Sequence, residues 1–416
     1  MSWRILHVVR SLRPETGGLV EAVRNLAPAL RQLGHTSTTL SLDPADGARA
    51  DGATIVVGRA SHGYGRSPEY VRWLRAHRRE FDAVIVHGLW QQQSFGAWRA
   101  LRGTDTPYFV FCHGMLDPWF RGAYPLKHFK KWLYWPWADY RVLRDATGVC
   151  FTSEEERRAA RRSFWLYRAR ELITPLGIAE PAGDPRVQRD AFLDAHPELR
   201  ERPFLLFLGR VHPKKGLENL FSGYAAISGR RADAPGLAIV GPCADDAYRQ
   251  SLKALTARLG IERSVCWLPM TTGDEKWGAL RACEAFVLLS HQENFGVAVV
   301  EALACGRPVL ISNRVNIWRE IVADGGGLAV DDTEQGAAGV LRQWGAMPAE
   351  SRAAMGRAAR DCYSRRFAIA TAAEHLVRAL EEATSGELPV ASAHSPFPAS
   401  AGEIGEPLGQ TKRAGD

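Results

Sequence analysis

Short apolar runs alternate with amphipathic stretches along most of the chain, and this rhythm restricts the fold more than any single motif. Ile5–Val9, Ser37–Leu42, Thr54–Val57, Ala83–His87, Tyr108–Cys112 and Gly148–Thr152 read as strands, with helical patterns at Leu19–Leu33, Glu69–Arg79 and Gln92–Leu101 between them. The second half repeats the rhythm. Its strands are Phe204–Leu208, Leu237–Val240, Val265–Leu268, Ala285–Leu289 and Val309–Ile311, and its helices lie near Leu217–Ser228, Asp246–Leu259, Asp274–Ala282 and Gly296–Cys305. Uniformly apolar strands separated by helices belong to parallel sheets covered on both faces. A chain of 416 residues is too long for one core, so two doubly wound α/β domains facing a cleft are predicted.

The first domain is predicted over residues 1–178 and the second over 203–366. The charged stretch Ile178–Pro203, which carries Pro181, Pro185 and Pro197, reads as the join. A helical pattern at Ala368–Glu382 predicts a helix over 367–384. The remainder, 385–416, is rich in Pro, Gly, Ala and Ser and reads as a disordered tail.

Hydrophobic residues at 46% and charged residues at 24% exclude disordered and fibrous chains. The net charge of +7, from 53 basic and 46 acidic side chains, suits a phosphate-bearing ligand or an anionic membrane surface. No nucleic-acid reader motif accompanies it, so nucleic acid is not an expected partner. The seven cysteines form no CxxC pair, which points to reduced thiols in a cytoplasmic setting. No apolar run approaches the ~20 residues of a spanning helix. The expectation is a cytoplasmic protein, at most peripheral on the inner face of the plasma membrane.

Open α/β sheets bind ligands at the carboxyl ends of their strands. After the strand Ala285–Leu289 come Glu293, Asn294, Phe295 and Gly296, and Glu301 lies inside the helix that Gly296 opens. A helix N-terminus there offers unpaired N–H groups and partial positive charge to a phosphate. The carboxylates suit sugar hydroxyls. After Phe204–Leu208, a glycine-bounded loop offers Arg210, Lys214 and Lys215, which suit a diphosphate that gains charge as it leaves.

These residues resemble the retaining glycosyltransferases of family 4. Glu293 and Glu301 match that family's E-x7-E pattern with its internal Phe-Gly, and Arg210 and Lys215 match its "GR…KG" pair. The resemblance covers nearly the whole chain except the tail and is strongest from Phe204 to Val330. It implies the GT-B fold, two Rossmann-like domains around a cleft, with a C-terminal helix crossing back to the first domain. It implies transfer of a hexose from a UDP- or GDP-linked sugar to a glycan or lipid-linked acceptor in bacterial surface polysaccharide synthesis. Arg210 and Lys215 would hold the diphosphate, Glu293 the donor sugar and Glu301 the ribose. Asn294, Phe295 and Gly296 would complete the donor site. With neither Asp-x-Asp nor a His/Cys cluster, no metal and no cofactor are expected. A nucleotide-sugar epimerase, a phosphorylase and a non-catalytic scaffold of the same fold stay open as alternatives.

In the first half, Gly17 and Gly18 precede the helix Leu19–Leu33 without forming GxGxxG, and family 4 implies a donor-side role for them. His113, in the segment Phe111–Trp119, follows a strand and is a catalytic or sugar-binding candidate. The "HGMLDPW" run resembles exopolysaccharide and lipopolysaccharide enzymes. His87, after Ala83–Val86, is a second cleft candidate on the acceptor side. Arg121–Arg144 mixes lysines and arginines with Trp132, Tyr134, Trp135 and Trp137, a composition suited to an anionic membrane surface.

Overall fold

The computed structural model describes residues 2–13, 18–44, 54–58, 63–228, 234–386 and 390–392. The first domain is built on β1 (Arg4–Val9), β2 (Thr36–Pro44), β3 (Thr54–Gly58), β4 (Ala83–His87), β5 (Tyr108–Phe111), β6 (Gly148–Phe151) and β7 (Arg168–Ile173). These are parallel, in the order β3-β2-β1-β4-β5-β6-β7. The second domain holds β8 (Phe204–Leu208), β9 (Gly236–Val240), β10 (Val265–Leu268), β11 (Ala285–Leu288), β12 (Val309–Ser312) and β13 (Gly327–Val330), in the order β10-β9-β8-β11-β12-β13. Both are doubly wound Rossmann-like sheets. The strand order reverses between β1 and β4 in one and between β8 and β11 in the other, and those reversals are where such sheets leave a crevice.

The central strands are buried on both faces because nearly every residue in them is apolar. Ala83–Val86, Tyr108–Phe111 and Phe286–Ile311's strand segments all lie in the cores. Edge strand β7 alternates charged and apolar residues, Arg-Ala-Arg-Glu-Leu-Ile, and its burial alternates with them. That mixed pattern hid it from a search for apolar runs.

The domain boundary differs from the sequence expectation. Residues 178–203 are not merely a join: Pro185–Ala195 is a helix, capped by Asp184, whose carboxylate accepts from the N–H groups of Arg186 and Val187. Its Phe192 and Leu193 are part of the second domain's core. Buried Arg281 binds the Gln188 side chain and anchors this helix. The second domain therefore starts near Asp184. Asp-Pro at a helix start is a cap followed by a first-turn proline, a signal readable in the sequence.

The chain crosses between domains twice, side by side. Ile178 N donates to Phe367 O at 3.0 Å, and Ile369 N donates to Ile178 O at 2.9 Å. The helix Ile369–Thr384 then lies on the first domain, where Ala373, Leu376 and Leu380 join Ile5, Leu26, Leu30, Ile85 and Phe109 in one core. The expectation of disorder throughout 385–416 is corrected at β14 (Val390–Ser392), which pairs antiparallel with β7. Residues 387–389 and 393–416 lie outside the described residues.

Leu380→Ala is expected to destabilise the protein by about 2–5 kcal/mol, since the side chain is fully buried between helix and sheet. Urea unfolding of the full chain measures it, and a change below about 0.5 kcal/mol, the size of a surface effect, would show that the helix does not depend on this contact.

Candidate functional site

In the second domain, β8 and β11 pair only through Leu205 and Leu206 with Ala285 and Phe286, and their carboxyl-end loops frame the crevice. The β8 loop makes a short 3-10 turn at Pro213–Lys215. The His212 imidazole accepts from Lys214 N at its start, and Gly216 ends it in the left-handed region at φ 67°. A Cβ on Gly216 would stand 2.1 Å from Leu289 O, so only glycine lets this loop lie against the exit of β11. His291 N donates to Lys214 O at 2.9 Å and ties the two loops together. The result is an ion pair between Lys215 Nζ and Glu293 Oε2. Arg210 is exposed at the loop's start and makes no ion pair among the described residues.

Glu293 is held from its backbone. Its N–H donates to Arg314 O at 2.9 Å, and its carbonyl accepts from Asn316 N at 3.0 Å. Gly296, at φ 70°, is the N-cap of the helix Val297–Ala304, which has no side-chain cap. Val299 N and Val300 N donate to Gly296 O, while the N–H groups of Val297 and Ala298 have no partner among the described residues and are open to an anion. Glu301, 6% exposed, accepts a 2.7 Å hydrogen bond from Lys276 Nζ. Lys276 sits on the helix Gly273–Ala282 and belongs to no short motif, so nothing in the sequence singles it out. Two lysines, two glutamates and a helix end therefore share one crevice. The Phe295 side chain packs in the core, edge-on to Phe367 at 5.8 Å, so the part of it near the site is its backbone, the part the resemblance implies.

Across the cleft, His113 follows β5 in the left-handed region at φ 50°, a conformation that must be held in place. Gly114 N donates to Glu156 Oε1 at 2.5 Å, and the other carboxylate oxygen accepts from Thr152 N and Thr152 Oγ, both at 2.7 Å. Burial pushes the Glu156 carboxyl up, and these hydrogen bonds oppose the shift. The same network spans the domains. Asn294 Nδ2 donates to Thr152 Oγ1 at 3.1 Å, and Gln292 Nε2 donates to Asp117 Oδ2 at 2.9 Å. A Cβ on Gly114 would lie 2.8 Å from Asn294 Cβ, which places His113 beside the Glu293–Gly296 turn. Lys214 leans over Trp119 and Phe120 at 5.8 and 5.9 Å, and burial lowers its proton affinity. Glu156 and Thr152 were not foreseen, although Ser153 to Glu156 has the spacing of a capping box.

His87 is not on the acceptor surface as expected. It is buried, because β4 is central to the sheet, and its ring bridges His7 Nδ1 and His113 Nε2 at 3.0 Å each. Burial pushes His7 and His113 down to about 4 and His87 well below its usual range. Gly18 begins the helix Gly18–Gln32, and Gly17 lies outside the described residues. Among the described residues, no group of three or more His, Cys, Asp or Glu is disposed to hold a metal ion.

Two family models match the chain, the glycosyl transferase 4-like domain over residues 17–177 and glycosyl transferases group 1 over residues 188–361. The chain is 35% identical over 149 residues to a D-inositol 3-phosphate glycosyltransferase of Salinispora arenicola, covering 34% of this chain and 33% of that protein. The match thus spans about a third of that relative's length. A GDP-mannose:cellobiosyl-diphosphopolyprenol alpha-mannosyltransferase of Komagataeibacter xylinus is 27% identical over 362 residues, 81% of this chain and 79% of that one. Among solved structures, Anabaena HepE in complex with UDP-glucose superposes with a TM-score of 0.71 at 18% identity, over 91% of this chain and all (100%) of that one.

The buried imidazoles bind fewer protons folded than unfolded between pH 6.5 and about 4. Stability therefore falls as pH is lowered through that window. The urea midpoint is expected to decline from pH 7 to pH 4 less steeply in His7→Phe than in the wild type. Parallel declines would show that His7 does not resist protonation.

Proposed function

Because the chain belongs to the glycosyltransferases of the GT-B fold, family 4 type, we propose that it moves a hexose from a UDP- or GDP-linked sugar to an acceptor hydroxyl with retention at the anomeric carbon. The observation that carries this reading is the pair of lysine–glutamate contacts, Lys215–Glu293 and Lys276–Glu301, flanking the helix end at Gly296. In the free protein each carboxylate is balanced by an ammonium. A diphosphate sugar satisfies the same groups: its phosphates take Lys215, Arg210 and the helix N–H groups, and its hydroxyls take Glu293 and Glu301.

In the reaction, the bond from the anomeric carbon to the diphosphate oxygen breaks and a bond to the acceptor oxygen forms on the same face. The acceptor's proton passes to the departing phosphate. Lys215, Arg210 and the helix end stabilise the charge that develops on the leaving group. No carboxylate need form a covalent intermediate, and no divalent metal is required. The HepE complex with UDP-glucose and the GDP-mannose named for the Komagataeibacter relative support a nucleotide-sugar donor. The diphosphopolyprenol in that relative's name supports a lipid-linked acceptor, in keeping with polysaccharide synthesis.

The acceptor side has a surface suited to such a lipid. On the helix Pro125–Tyr134, Leu126, Phe129 and Leu133 share one exposed face, Leu126 at 81%, next to Lys127 and Lys130. Trp137, 68% exposed, extends it. This face docks on an anionic membrane. No helix among the described residues is long and apolar enough to cross one.

Lys215→Ala is expected to lower kcat by about 10²–10³ while the protein stays folded, as circular dichroism checks, and unaltered turnover would remove Lys215 from the site. Proton NMR of the product is expected to show the donor's anomeric configuration, in the presence of EDTA as in its absence; inversion, or loss of activity restored only by a divalent metal, contradicts the mechanism. The Leu126→Asp, Phe129→Asp double variant is expected to stop co-sedimenting with phosphatidylglycerol vesicles while keeping turnover on a soluble acceptor. Equal sedimentation of both proteins would remove this face from the account.

A further inference from the structure

His7 on β1, His87 at the end of β4 and His113 after β5 come from three neighbouring strands at the reversal point of the first sheet. Their rings form a chain, His7 Nδ1 to His87 Nε2 and His87 Nδ1 to His113 Nε2, each contact 3.0 Å. Each contact holds one proton, and the two ends of the chain differ. His7 Nε2 is sealed in the core and has no partner among the described residues. His113 Nδ1 has no partner among the described residues and is not among the sealed polar atoms. It belongs to the residue that adjoins the Asn294 turn through Gly114.

A neutral chain can be protonated in two senses. If the protons point inward, His7 Nε2 carries an N–H buried without an acceptor, the costlier kind of orphan. If they point outward, that atom is a bare lone pair, His87 donates to His113 Nε2, and His113 is left with an N–H at Nδ1 facing the cleft. We propose that His7 and His87 are positioning residues that lock His113 in its Nδ1–H tautomer, so that it offers the bound sugar a hydrogen-bond donor and does not act as a base. The identity of the recipient, a sugar oxygen, rests on the proposed transferase function; the tautomer does not. The low proton affinity of the buried rings keeps the chain neutral at physiological pH. A proton taken up at His113 would find no exit, because the chain ends at a sealed atom. This leaves acceptor deprotonation to the departing diphosphate.

The test is a two-bond proton–nitrogen correlation spectrum of the full, ligand-free chain labelled with nitrogen-15 histidine at pH 7. The His113 signals are identified by their loss in His113→Asn. The expected result is that His113 is protonated at Nδ1 only. Protonation at Nε2, or at both nitrogens, overturns the proposal. In His87→Phe, His113 is expected to shift toward Nε2 protonation, and an unchanged Nδ1–H tautomer there overturns the positioning role. If that variant does not fold, the wild-type spectrum still decides. Kinetics supply a second arm: the amide nitrogen of His113→Asn takes the place of Nδ1, so its kcat/KM is expected within about tenfold of wild type, the size of one neutral hydrogen bond, with His113→Gln lower. Asparagine no better than glutamine contradicts a donor at Nδ1. A chain that transfers no sugar but shows the Nδ1–H signal keeps this proposal and overturns the proposed function instead.

Discussion

The chemistry of the cleft depends on one close approach. Gly216 brings the β8 loop against Leu289 O, closer than any side chain allows, and the bond from His291 N to Lys214 O holds it there. Without that approach, the Lys215 ammonium and the Glu293 carboxylate come from strands that pair over only two residues each and have no reason to meet. The helix end at Gly296 and the Lys276–Glu301 pair then fall into the same crevice, because both sit on elements that leave the same sheet. Charges of both signs are balanced in this partly buried site, and under the proposed function they are the groups a diphosphate sugar would take as partners.

Among the described residues, small polar contacts link the two domains across the cleft. Asn294 with Thr152, Gln292 with Asp117 and the Arg319–Glu155 ion pair bridge the cleft. Such contacts are individually worth about 1 kcal/mol, so they are easily exchanged for contacts with a ligand. The covalent crossings lie side by side at Ile178 and Phe367–Ile369, where the helix Ile369–Thr384 returns to the first domain. Two adjacent crossings are the connection a hinge between domains would use, and Glu156 ties the His113 turn to its own domain.

Much of this could be read from residue order. Apolar strands buried on both faces declare themselves, as do a loop bounded by Gly209 and Gly216 and two glutamates eight positions apart on a turn and its helix. What stayed hidden has physical reasons. β7 is an edge strand whose alternating charges mask it. Lys276 reaches Glu301 from a separate helix, a pairing that only the tertiary fold creates. His7 lies mid-strand among apolar neighbours and resembles a plain core residue until the sheet sets it beside His87. His87 ends a strand, which points to the cleft, but β4 is central and the residue is covered.

Under the proposed function, the second domain recognises the diphosphate before the sugar and the base. Isothermal titration of the intact chain with UDP and GDP, set against uridine and guanosine, tests it most directly. Two charge-assisted contacts predict that one of the diphosphates binds about 100-fold more tightly than its own nucleoside. A nucleoside that binds as tightly as its diphosphate would contradict the account.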